Sequence, residues 1–338
     1  MNEIRKNILI IGTGPTGSSC AYLINKMLTY FAPFSNLTVI EKGNKPGGRL
    51  STTFDDKGNN LYDLGFRYIP YNRKNVPKKF KIFNYQDVTL YTNRYYCPIG
   101  FTNLFQKNLD KINVLYNTKV IEINHIKNND KLSWQITTET NEKLMYDFII
   151  STIPIPQFLQ LNGNFMENFD TSIINNMNKV QYSNVLSLGI TYDKLISNQG
   201  WLDVKYDNDK ILDWVCLESN RNKLLDKSRV IIQTKPQWSI ENFNRNKYEI
   251  ENILINSLKQ KIPEFDDNIQ NTKLMRWKYA NVINNTQLNK IYFKSSLIYN
   301  NILPMVIAGD SVVGSDFNNC LDSATSAFLN CEQFVLDL

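Results

Sequence analysis

Three glycines in the stretch NILIIGTGPTGSSCAYLIN, residues 7–25, have a spacing that suits contact with a phosphate. Gly12, Gly14 and Gly17 fit the pattern G-x-G-x-x-G, after an apolar run typical of a buried strand and before a segment with helical spacing. In this pattern the first glycine permits a tight turn, the second lets a pyrophosphate approach the backbone, and the third lets helix and strand pack closely. The amino end of the helix then stabilises negative charge. We therefore predict a dinucleotide site here rather than an ordinary turn in an unrelated α/β domain.

Two charged side chains follow at positions that suit the same ligand. Glu41 closes the second predicted strand, Leu37–Lys42, and lies 24 residues after Gly17. A carboxylate roughly 20 residues after the glycines binds ribose hydroxyls and disfavours a 2′-phosphate. Arg49 ends a second glycine loop, residues 47–49, and its guanidinium can fork onto a pyrophosphate. Taken singly, each of the two charges is also typical of a solvated surface.

A third anchor is predicted near the carboxyl end of the chain. The residues Ala308–Asp310 close a predicted strand, and a helix is expected to begin near Asn319–Leu321. If this strand joins the same sheet, Asp310 binds a polyhydroxylated chain such as ribityl, and the helix dipole stabilises an anionic reduced flavin. NAD needs no second anchor so far along the chain, whereas FAD is long enough to reach both. The two anchors together therefore predict FAD.

The composition argues against several other chemistries. His125 is the single histidine and lies in a predicted strand, so a Ser-His-Asp or Cys-His nucleophile is not indicated. The five cysteines form no CxxC pair, which predicts buried thiols in a reducing compartment, without a disulfide framework or a metal site. Catalysis is then expected to come from a bound redox cofactor.

Charge and hydropathy bear on partners and location. The net charge of +6 is spread along the chain, so it mildly favours an anionic ligand and gives little reason to expect nucleic acid. No apolar run is long enough to span a membrane, and the run Ile8–Ile11 is too short for a secretion signal. We expect a cytoplasmic protein, with export by a non-standard route left open and the oligomeric state undetermined.

The order of the predicted elements indicates two interleaved domains. A helix over residues 16–30 would connect the first two strands of a parallel sheet. Alternation in VLYNTKVIEINHIK and KLSWQITTET predicts a β-meander, and Pro154 and Pro156 stop the buried strand that follows. The clearest amphipathic helix is YEIENILINSLKQ, whose apolar stripe is formed by Ile250, Ile253, Leu254 and Leu258.

We therefore predict an α/β fold in which a Rossmann-type FAD-binding domain carries a β-meander and is joined to a mixed α+β substrate domain. The expected FAD-binding domain comprises residues 1–72, 98–156 and 270–338, and the expected substrate domain comprises residues 73–97 and 157–269.

Several motifs resemble, in the same order, those of the renalase family within the flavin amine oxidase superfamily. The matching segments are GTGPTGSSCAYLI, EKGNKPGGRLSTT, YDLGFRYI, IISTIPIPQFLQL, RWKYANV and GDSVVGSDFNNCLDSATSA. The resemblance implies a fold like that of p-hydroxybenzoate hydroxylase with non-covalent FAD. It also implies an activity in which misformed dihydro-isomers of NAD(P) pass a hydride to flavin, giving NAD(P)+, while O2 is reduced to H2O2.

The resemblance also implies roles for individual residues. The three glycines would contact the pyrophosphate, Glu41 the adenosine ribose, Val120 the adenine through its backbone, and Arg49 the region between pyrophosphate and ribityl. Asp310 and the start of the last helix would meet the ribityl and isoalloxazine. The complete predicted cofactor-binding set is Gly12, Gly14, Pro15, Thr16, Gly17, Glu41, Lys42, Gly48, Arg49, Val120, Thr152, Gly309, Asp310, Asn319, Cys320 and Leu321.

Four further residues are candidates for the substrate pocket. Phe66 and Arg67 depart from the family pattern after DLG, where a small residue and a glutamine are expected, and they would shape the substrate face of the flavin. Trp277 and Tyr279, in RWKYANV, are candidate pocket walls, although core packing is an equally good interpretation of both rings.

Two alternatives to the dihydro-NAD(P) oxidase remain open. One is an amine oxidase or a desaturase of the same fold, although 338 residues leave little room for a large substrate domain and no anchoring helix is visible. The other, of a different class, is a binding or signalling protein that retains FAD without turnover.

Overall fold

A computed structural model describes residues 5–55, 60–66, 68–70, 89–91, 94–128, 131–196, 203–221, 227–265, 268–284, 292–293 and 303–336. The strands are β1 (Asn7–Ile11), β2 (Asn36–Ile40), β3 (Thr52–Phe54), β4 (Asn60–Asp63), β5 (Ile69–Pro70), β6 (Thr89–Tyr91), β7 (Arg94–Tyr96), β8 (Asn113–Leu115), β9 (Val120–Asn128), β10 (Lys131–Thr138), β11 (Lys143–Tyr146), β12 (Phe148–Ser151), β13 (Gln181–Tyr192), β14 (Asp203–Lys205), β15 (Leu212–Leu217), β16 (Arg229–Thr234), β17 (Ile269–Asn284), β18 (Tyr292–Phe293) and β19 (Met305–Ile307). The helices are α1 (Pro15–Phe31), α2 (Phe101–Asn108), α3 (Ile155–Phe158), α4 (Thr171–Asn178), α5 (Glu218–Arg221), α6 (Pro236–Asn242), α7 (Lys247–Lys261), α8 (Asp310–Val313) and α9 (Phe317–Val335), with short 3-10 turns at Gly48–Leu50 and Phe165–Asn168.

The first sheet has the order β18-β19-β12-β1-β2-β8, and β1 pairs in parallel with both β12 and β2. The β1 residues Ile8–Ile11 are buried, because helices or loops cover both faces of a parallel sheet, and this explains their continuous apolar run. Helix α1 returns along the sheet and buries the predicted apolar residues Ala21, Ile24 and Leu28. The Rossmann-type prediction is therefore confirmed.

Strand β19 pairs in parallel with β12, and this pairing brings the carboxyl end of the chain to the sheet that the amino end begins. Helix α9 then packs against α1, with Ala324, Ala327 and Cys331 fully or almost fully buried. The condition on which the two-anchor prediction rested is met, because both anchors belong to one sheet.

The predicted meander is present as the antiparallel strands β9, β10 and β11. The next strand, β12, ends at Ser151, and Pro154 stands at the amino end of the short helix α3. The two prolines thus follow the strand at a small distance, with Thr152 in the intervening turn.

The second large sheet is antiparallel, with the order β14-β15-β16-β13-β17. Helix α7 packs on it through Ile250, Leu254 and Leu258, whereas the predicted fourth stripe residue, Ile253, is half-buried. Strand β17 pairs with β13 along most of its length, so residues 270–284 are hydrogen-bonded into this second large sheet. The division into domains stays a prediction.

Two element ends differ from the sequence prediction. Strand β2 ends at Ile40, so Glu41 is the first residue after the strand. Helix α9 begins at Phe317, earlier than the expected start near Asn319–Leu321, because Asp316 accepts hydrogen bonds from the amides of residues 318 and 319 as an N-cap.

All five cysteines are buried, as predicted, and none of them forms a disulfide. Among the helices of the described ranges, none combines the length and the apolar character that crossing a bilayer requires.

Candidate cofactor and substrate site

The glycine loop has the close contacts that its motif predicts. Gly12 has a φ of +101°, and a Cβ at this position would lie 2.8 Å from the Thr152 Oγ1. A Cβ on Gly17 would lie 2.0 Å from the carbonyl oxygen of Gly12, so a side chain there would force the helix away from the strand. A Cβ on Gly14, by contrast, would meet no atom within 4 Å. The first and third glycines are needed for packing, and the second faces open space.

The amino end of α1 is suited to an anion. Gly14 is its N-cap, no side chain caps the helix, and no acidic residue lies in its first turn. Gly48 has a φ of +53°, and its Cβ position lies 3.2 Å from the Cα of Gly14, so the second glycine loop lies against the first. Unbonded amides at a helix start, beside open space, fit a pyrophosphate.

Glu41 is half-buried and already accepts three hydrogen bonds. The amide and the hydroxyl of Thr13 donate to its Oε2 at 3.0 and 2.6 Å, and the amide of Gly43 donates to its Oε1 at 2.8 Å. A carboxylate has about four acceptor positions, so room is left for a hydroxyl donor such as a ribose. Lys42, the next residue of the predicted set, is exposed.

Val120 is close to this carboxylate in the fold. The amide of Thr118 donates to the Glu41 carbonyl at 3.0 Å, and the amide of Asn117 donates to the Gly43 carbonyl at 2.9 Å. Val120, two residues further, is buried at the start of β9. The meander thus joins the loop after β2 at the end of the site where adenosine is expected.

Arg49 and Asp310 form an ion pair of 2.7 Å, although 261 residues separate them in sequence. Asp310 is only 4% exposed, and Ser315 also donates to its Oδ2 at 3.0 Å. Arg49 donates in addition to the carbonyl of Ala280 in β17 at 2.8 Å. Burial opposes the charge of Arg49, but the adjacent carboxylate outweighs it and raises the pKa of the guanidinium. The two predicted anchors therefore contact each other and the second sheet.

Tyr182 in β13 completes this cluster, and the sequence analysis did not identify it. Its hydroxyl donates to Oδ1 of Asp310 at 3.0 Å and shares a 2.5 Å hydrogen bond with the hydroxyl of Ser311. The guanidinium carbon of Arg49 lies 5.6 Å from the centre of its ring. Burial and the carboxylate of Asp310 raise the pKa of Tyr182, so the phenol keeps its proton. A tyrosine in an alternating strand gives no sequence signal for such a contact.

A cavity of about 290 Å³ lies beside this cluster, between the second large sheet and the starts of helices α1, α8 and α9. It is lined by Pro15, Arg49, Leu50, Gly65, Phe66, Tyr68, Val185, Gln233, Trp277, Ala280, Asn281, Asp310, Ser315, Phe317 and Cys320. Of the four pocket candidates, the structure places Phe66 and Trp277 in the lining. Arg67 lies outside the described residues. Tyr279 is not among the lining residues and instead packs edge-on against Tyr182, with ring centres 5.5 Å apart.

An irregular pairing of β17 explains why the two neighbouring aromatic residues differ. Ser183 pairs with Asn281, and Val185 pairs with Trp277. The chain therefore advances by four positions along β17 while it advances by two along β13. Extra residues in one strand of a pair re-aim the side chains beside them. The Trp277 indole also donates to the carbonyl of Leu64 at 3.0 Å, which fixes the ring against the chain between β4 and β5.

The remaining predicted residues gather around the start of the last two helices. Thr16 donates through its hydroxyl to the carbonyl of Cys320 at 3.2 Å, which ties the two helix starts together. Gly309 has a φ of +113° and precedes α8, while Asn319, Cys320 and the buried Leu321 lie in the first turns of α9. Burial raises the pKa of the Cys320 thiol to about 12, so this thiol is neutral.

The start of α1 is open, Glu41 has spare acceptor capacity, and the cavity lies near Asp310. These features fit a long dinucleotide cofactor with one end at Glu41 and the other near Asp310. The predicted residues that line the cavity are Pro15, Arg49, Phe66, Trp277, Asp310 and Cys320. The roles of the predicted cofactor-binding residues stay predictions.

Known proteins are similar to this chain in sequence and in fold. Residues 10–84 match the family described as an NAD(P)-binding Rossmann-like domain. Renalase from Mus musculus is 23% identical over 355 aligned positions, which cover 97% of this chain and 99% of that protein.

Two solved structures extend the similarity in fold. A candidate protoporphyrinogen oxidase from Exiguobacterium sp. 255-15 has a TM-score of 0.72 at 11% identity and covers 98% of this chain and 100% of its own. A redesigned putrescine oxidase has a TM-score of 0.70 at 10% identity and covers 98% of this chain and 99% of its own. At identities of 10–11%, these two structures show a shared fold. The chain is similar to renalase along almost its whole length and has a Rossmann-type α/β fold.

Proposed function

We propose that the protein is an FAD-dependent oxidase that converts misformed dihydro-isomers of NAD(P) to NAD(P)+. The composition of the cavity carries this proposal. Among its described lining residues, the charged ones are Arg49 and Asp310, and these neutralise each other. The amides of Gln233 and Asn281 line the same space. A cavity with apolar walls, amide groups and no net charge suits a flat, uncharged ring that carries a carboxamide, as a dihydronicotinamide does.

The proposed cofactor contacts follow from the positions of the residues. The glycine loop and the start of α1 would hold the pyrophosphate, Glu41 the adenosine ribose, and the backbone at Val120 the adenine. Arg49 and Asp310 would hold the ribityl region, and the first turn of α9, which includes Cys320, would face the isoalloxazine. When bound, FAD supplies the hydride acceptor and the two-electron reduction of O2 to H2O2.

The protein's part in this chemistry is to position the donor and to exclude water. The side-chain amide of Gln233 donates to the carbonyls of Leu64 and Gly65 at 3.3 and 2.6 Å, so this side chain is held in place before any substrate enters. The side-chain amide of Asn281 makes no hydrogen bond within the described part of the chain, and it would pair with the substrate carboxamide. No general base is required, because a dihydropyridine becomes aromatic as the hydride leaves. This agrees with a lining that contains no histidine.

A second candidate is an oxidase of small amines. Four aromatic residues line the cavity: Phe66, Tyr68, Trp277 and Phe317. Aromatic faces bind organic cations, so this lining is also compatible with a small ammonium group. An amine must lose its proton and part of its hydration before oxidation, however, and no unpaired carboxylate is present among the described lining residues to attract it.

The test is an anaerobic mixing experiment on the purified holoprotein, followed by flavin absorbance. Dihydro-isomers of NAD(P), ordinary NADH and NADPH, and a few arylalkyl amines would be compared. We expect rapid bleaching by the isomers alone, reversed by air with release of H2O2. Bleaching by amines would favour the second candidate, and flavin that none of the compounds reduces would indicate a binding protein without turnover.

Asn281→Ala provides a matched variant for this test. It removes the free amide and leaves the Arg49–Asp310 pair and the glycine loop intact, so the flavin content should equal that of the wild type. We expect the isomer concentration needed for half-maximal bleaching to rise about 10-fold, since a site that loses one hydrogen bond to its ligand loses about 1 kcal/mol or slightly more. An unchanged concentration dependence would remove Asn281 from substrate binding.

A further inference from the structure

Three aromatic side chains are exposed together at the end of helix α1. The exposed fractions are 76% for Tyr30, 71% for Phe31 and 56% for Phe34. Single exposed apolar residues are common, but three large rings within five residues form a patch of the kind that marks an interaction surface. We call the segment Tyr30–Phe34 the aromatic loop.

The aromatic loop lies at the end of the parallel sheet opposite the cofactor site. Helix α1 has 17 residues, so its last residue, Phe31, lies about 25 Å from its start at Pro15. The chain after the loop bonds to the beginning of β1, because the amide of Asn36 donates to the carbonyl of Lys6 at 2.8 Å. The loop therefore lies beside the amino ends of β1 and β2, whereas the glycine motif lies at the carboxyl end of β1.

Positive charge surrounds the aromatic loop. Lys26 lies one turn before Tyr30 on α1, and its ammonium is 4.9 Å from the ring centre of Tyr22. After the amide of Asn36 is reoriented, its oxygen accepts from the Arg5 guanidinium at 2.8 and 3.1 Å. The ammonium of Lys6, the next residue, lies 4.5 Å from the ring centre of Phe334. Lys26 and Arg5 thus place positive charge on the two segments that flank the loop.

A shallow groove of about 710 Å³ adjoins the loop and also carries positive charge. It is lined in part by Pro33, Ser35 and Met145, and Lys111 is the single charged residue of its described lining. Asp110, the neighbour of Lys111, is exposed outside that lining, and Asp147 is occupied by an ion pair with Lys131. Glu142, exposed and close to the lining residue Tyr146, is a second carboxylate near the groove. Among these described residues, the cations Arg5, Lys26 and Lys111 outnumber the carboxylates outside ion pairs, which are Asp110 and Glu142.

We propose that the aromatic loop docks the protein on the surface of an anionic phospholipid bilayer. Phe and Tyr rings favour the boundary between headgroups and acyl chains, and flanking Lys and Arg residues are attracted to anionic lipids. The charge around the loop favours a lipid surface over a second copy of this chain, because two copies would bring the same cations together. Docking in this way leaves the cavity and the glycine loop facing the solvent.

Vesicle sedimentation of the full-length holoprotein tests the proposal. The probes are vesicles of phosphatidylcholine mixed with phosphatidylserine and vesicles of phosphatidylcholine alone. We expect binding to the mixed vesicles, weakened by salt, and little binding to the neutral ones. The triple variant Tyr30→Ser, Phe31→Ser, Phe34→Ser should bind at least about 10-fold more weakly, and Lys26→Gln should bind about fivefold more weakly.

Tyr248→Ser is the matched control, because Tyr248 is 71% exposed on α7 of the other domain. It should bind vesicles as the wild type does. All variants should keep the wild-type flavin absorbance and urea unfolding curve, which shows that they are folded.

Three results would overturn the proposal. They are absence of wild-type binding to the mixed vesicles, equal binding by the triple variant, and light scattering that shows a wild-type dimer which the triple variant converts to a monomer. The last result would assign the loop to a second copy of the chain.

Discussion

The Arg49–Asp310 pair joins the second glycine loop, the last helices and the second sheet, so its removal is the most informative perturbation. Replacing Arg49 with methionine keeps an unbranched side chain and removes the charge. It eliminates the 2.7 Å contact with Asp310 and the 2.8 Å hydrogen bond to the carbonyl of Ala280. The carboxylate then remains buried, with Tyr182 and Ser315 as its donors.

The expected size of the effect follows from these contacts. Removing one partner of a fully buried pair costs about 3–5 kcal/mol, because the other charge stays buried without compensation. The cost of removing Arg49 is smaller than this for two reasons. The Arg49 side chain is 28% exposed, and two hydrogen-bond donors to Asp310 remain. We expect Arg49→Met to lower the free energy of unfolding by about 2–3 kcal/mol.

Urea unfolding of the flavin-free protein measures this value without a contribution from cofactor binding. Asp310→Asn should also destabilise, because it leaves the guanidinium without its counter-ion. The double variant should be less destabilised than the sum of the two single variants by about 1–3 kcal/mol. Lys205→Met, which removes an ion pair on the exposed surface, is the control and should leave the unfolding midpoint unchanged. Strict additivity of the two single variants would refute the idea that the pair acts as a unit.

Three further predictions concern backbone contacts and pH. Gly65→Ala would place a Cβ 1.6 Å from the carbonyl oxygen of Arg49. We therefore expect the free energy of unfolding, measured in urea, to fall by about 3 kcal/mol or more. A variant as stable as the wild type would show that the backbone here moves aside easily. Gly17→Ala, with its 2.0 Å contact, should abolish flavin retention on gel filtration, and a yellow variant with normal flavin content would contradict the role of that glycine in packing. Asp209 accepts two backbone hydrogen bonds and pairs with Lys261; burial raises its pKa, but these partners lower it further, to a net value below its ordinary 3.8. The ionised carboxylate therefore stabilises the fold at neutral pH, and this contribution is lost as the pH falls through the lowered pKa. Asp209→Ala should lower the free energy of unfolding by about 1–2 kcal/mol at pH 7 and by almost nothing in strong acid. An equal loss at both pH values would exclude the ionised carboxylate as the cause.

Local sequence was sufficient for the parts of this protein that depend on short-range geometry. The three glycines, the buried first strand and the amphipathic helix α7 could be identified because each is encoded within about 20 neighbouring residues. Glu41 and Asp310 could be placed at the ends of parallel strands for the same reason. The start of α9 was predicted slightly late, because its position depends on the capping side chain of Asp316.

Tertiary structure decided what these residues contact. Pairing of β19 with β12 is required to bring Asp310 within 2.7 Å of Arg49, and pairing of β13 with β17 is required to add Tyr182 to the same cluster. The irregular register in β17 places Trp277 in the cavity and leaves Tyr279 outside its lining, although both belong to one predicted strand. Contacts across hundreds of residues depend on which strands pair and in which register, and the hydrophobic pattern of a single strand does not specify its partner. The sequence by itself therefore determined the type of fold and led to the prediction of a dinucleotide cofactor, whereas the shape and charge of the cavity depended on how the second sheet packs against the helix starts.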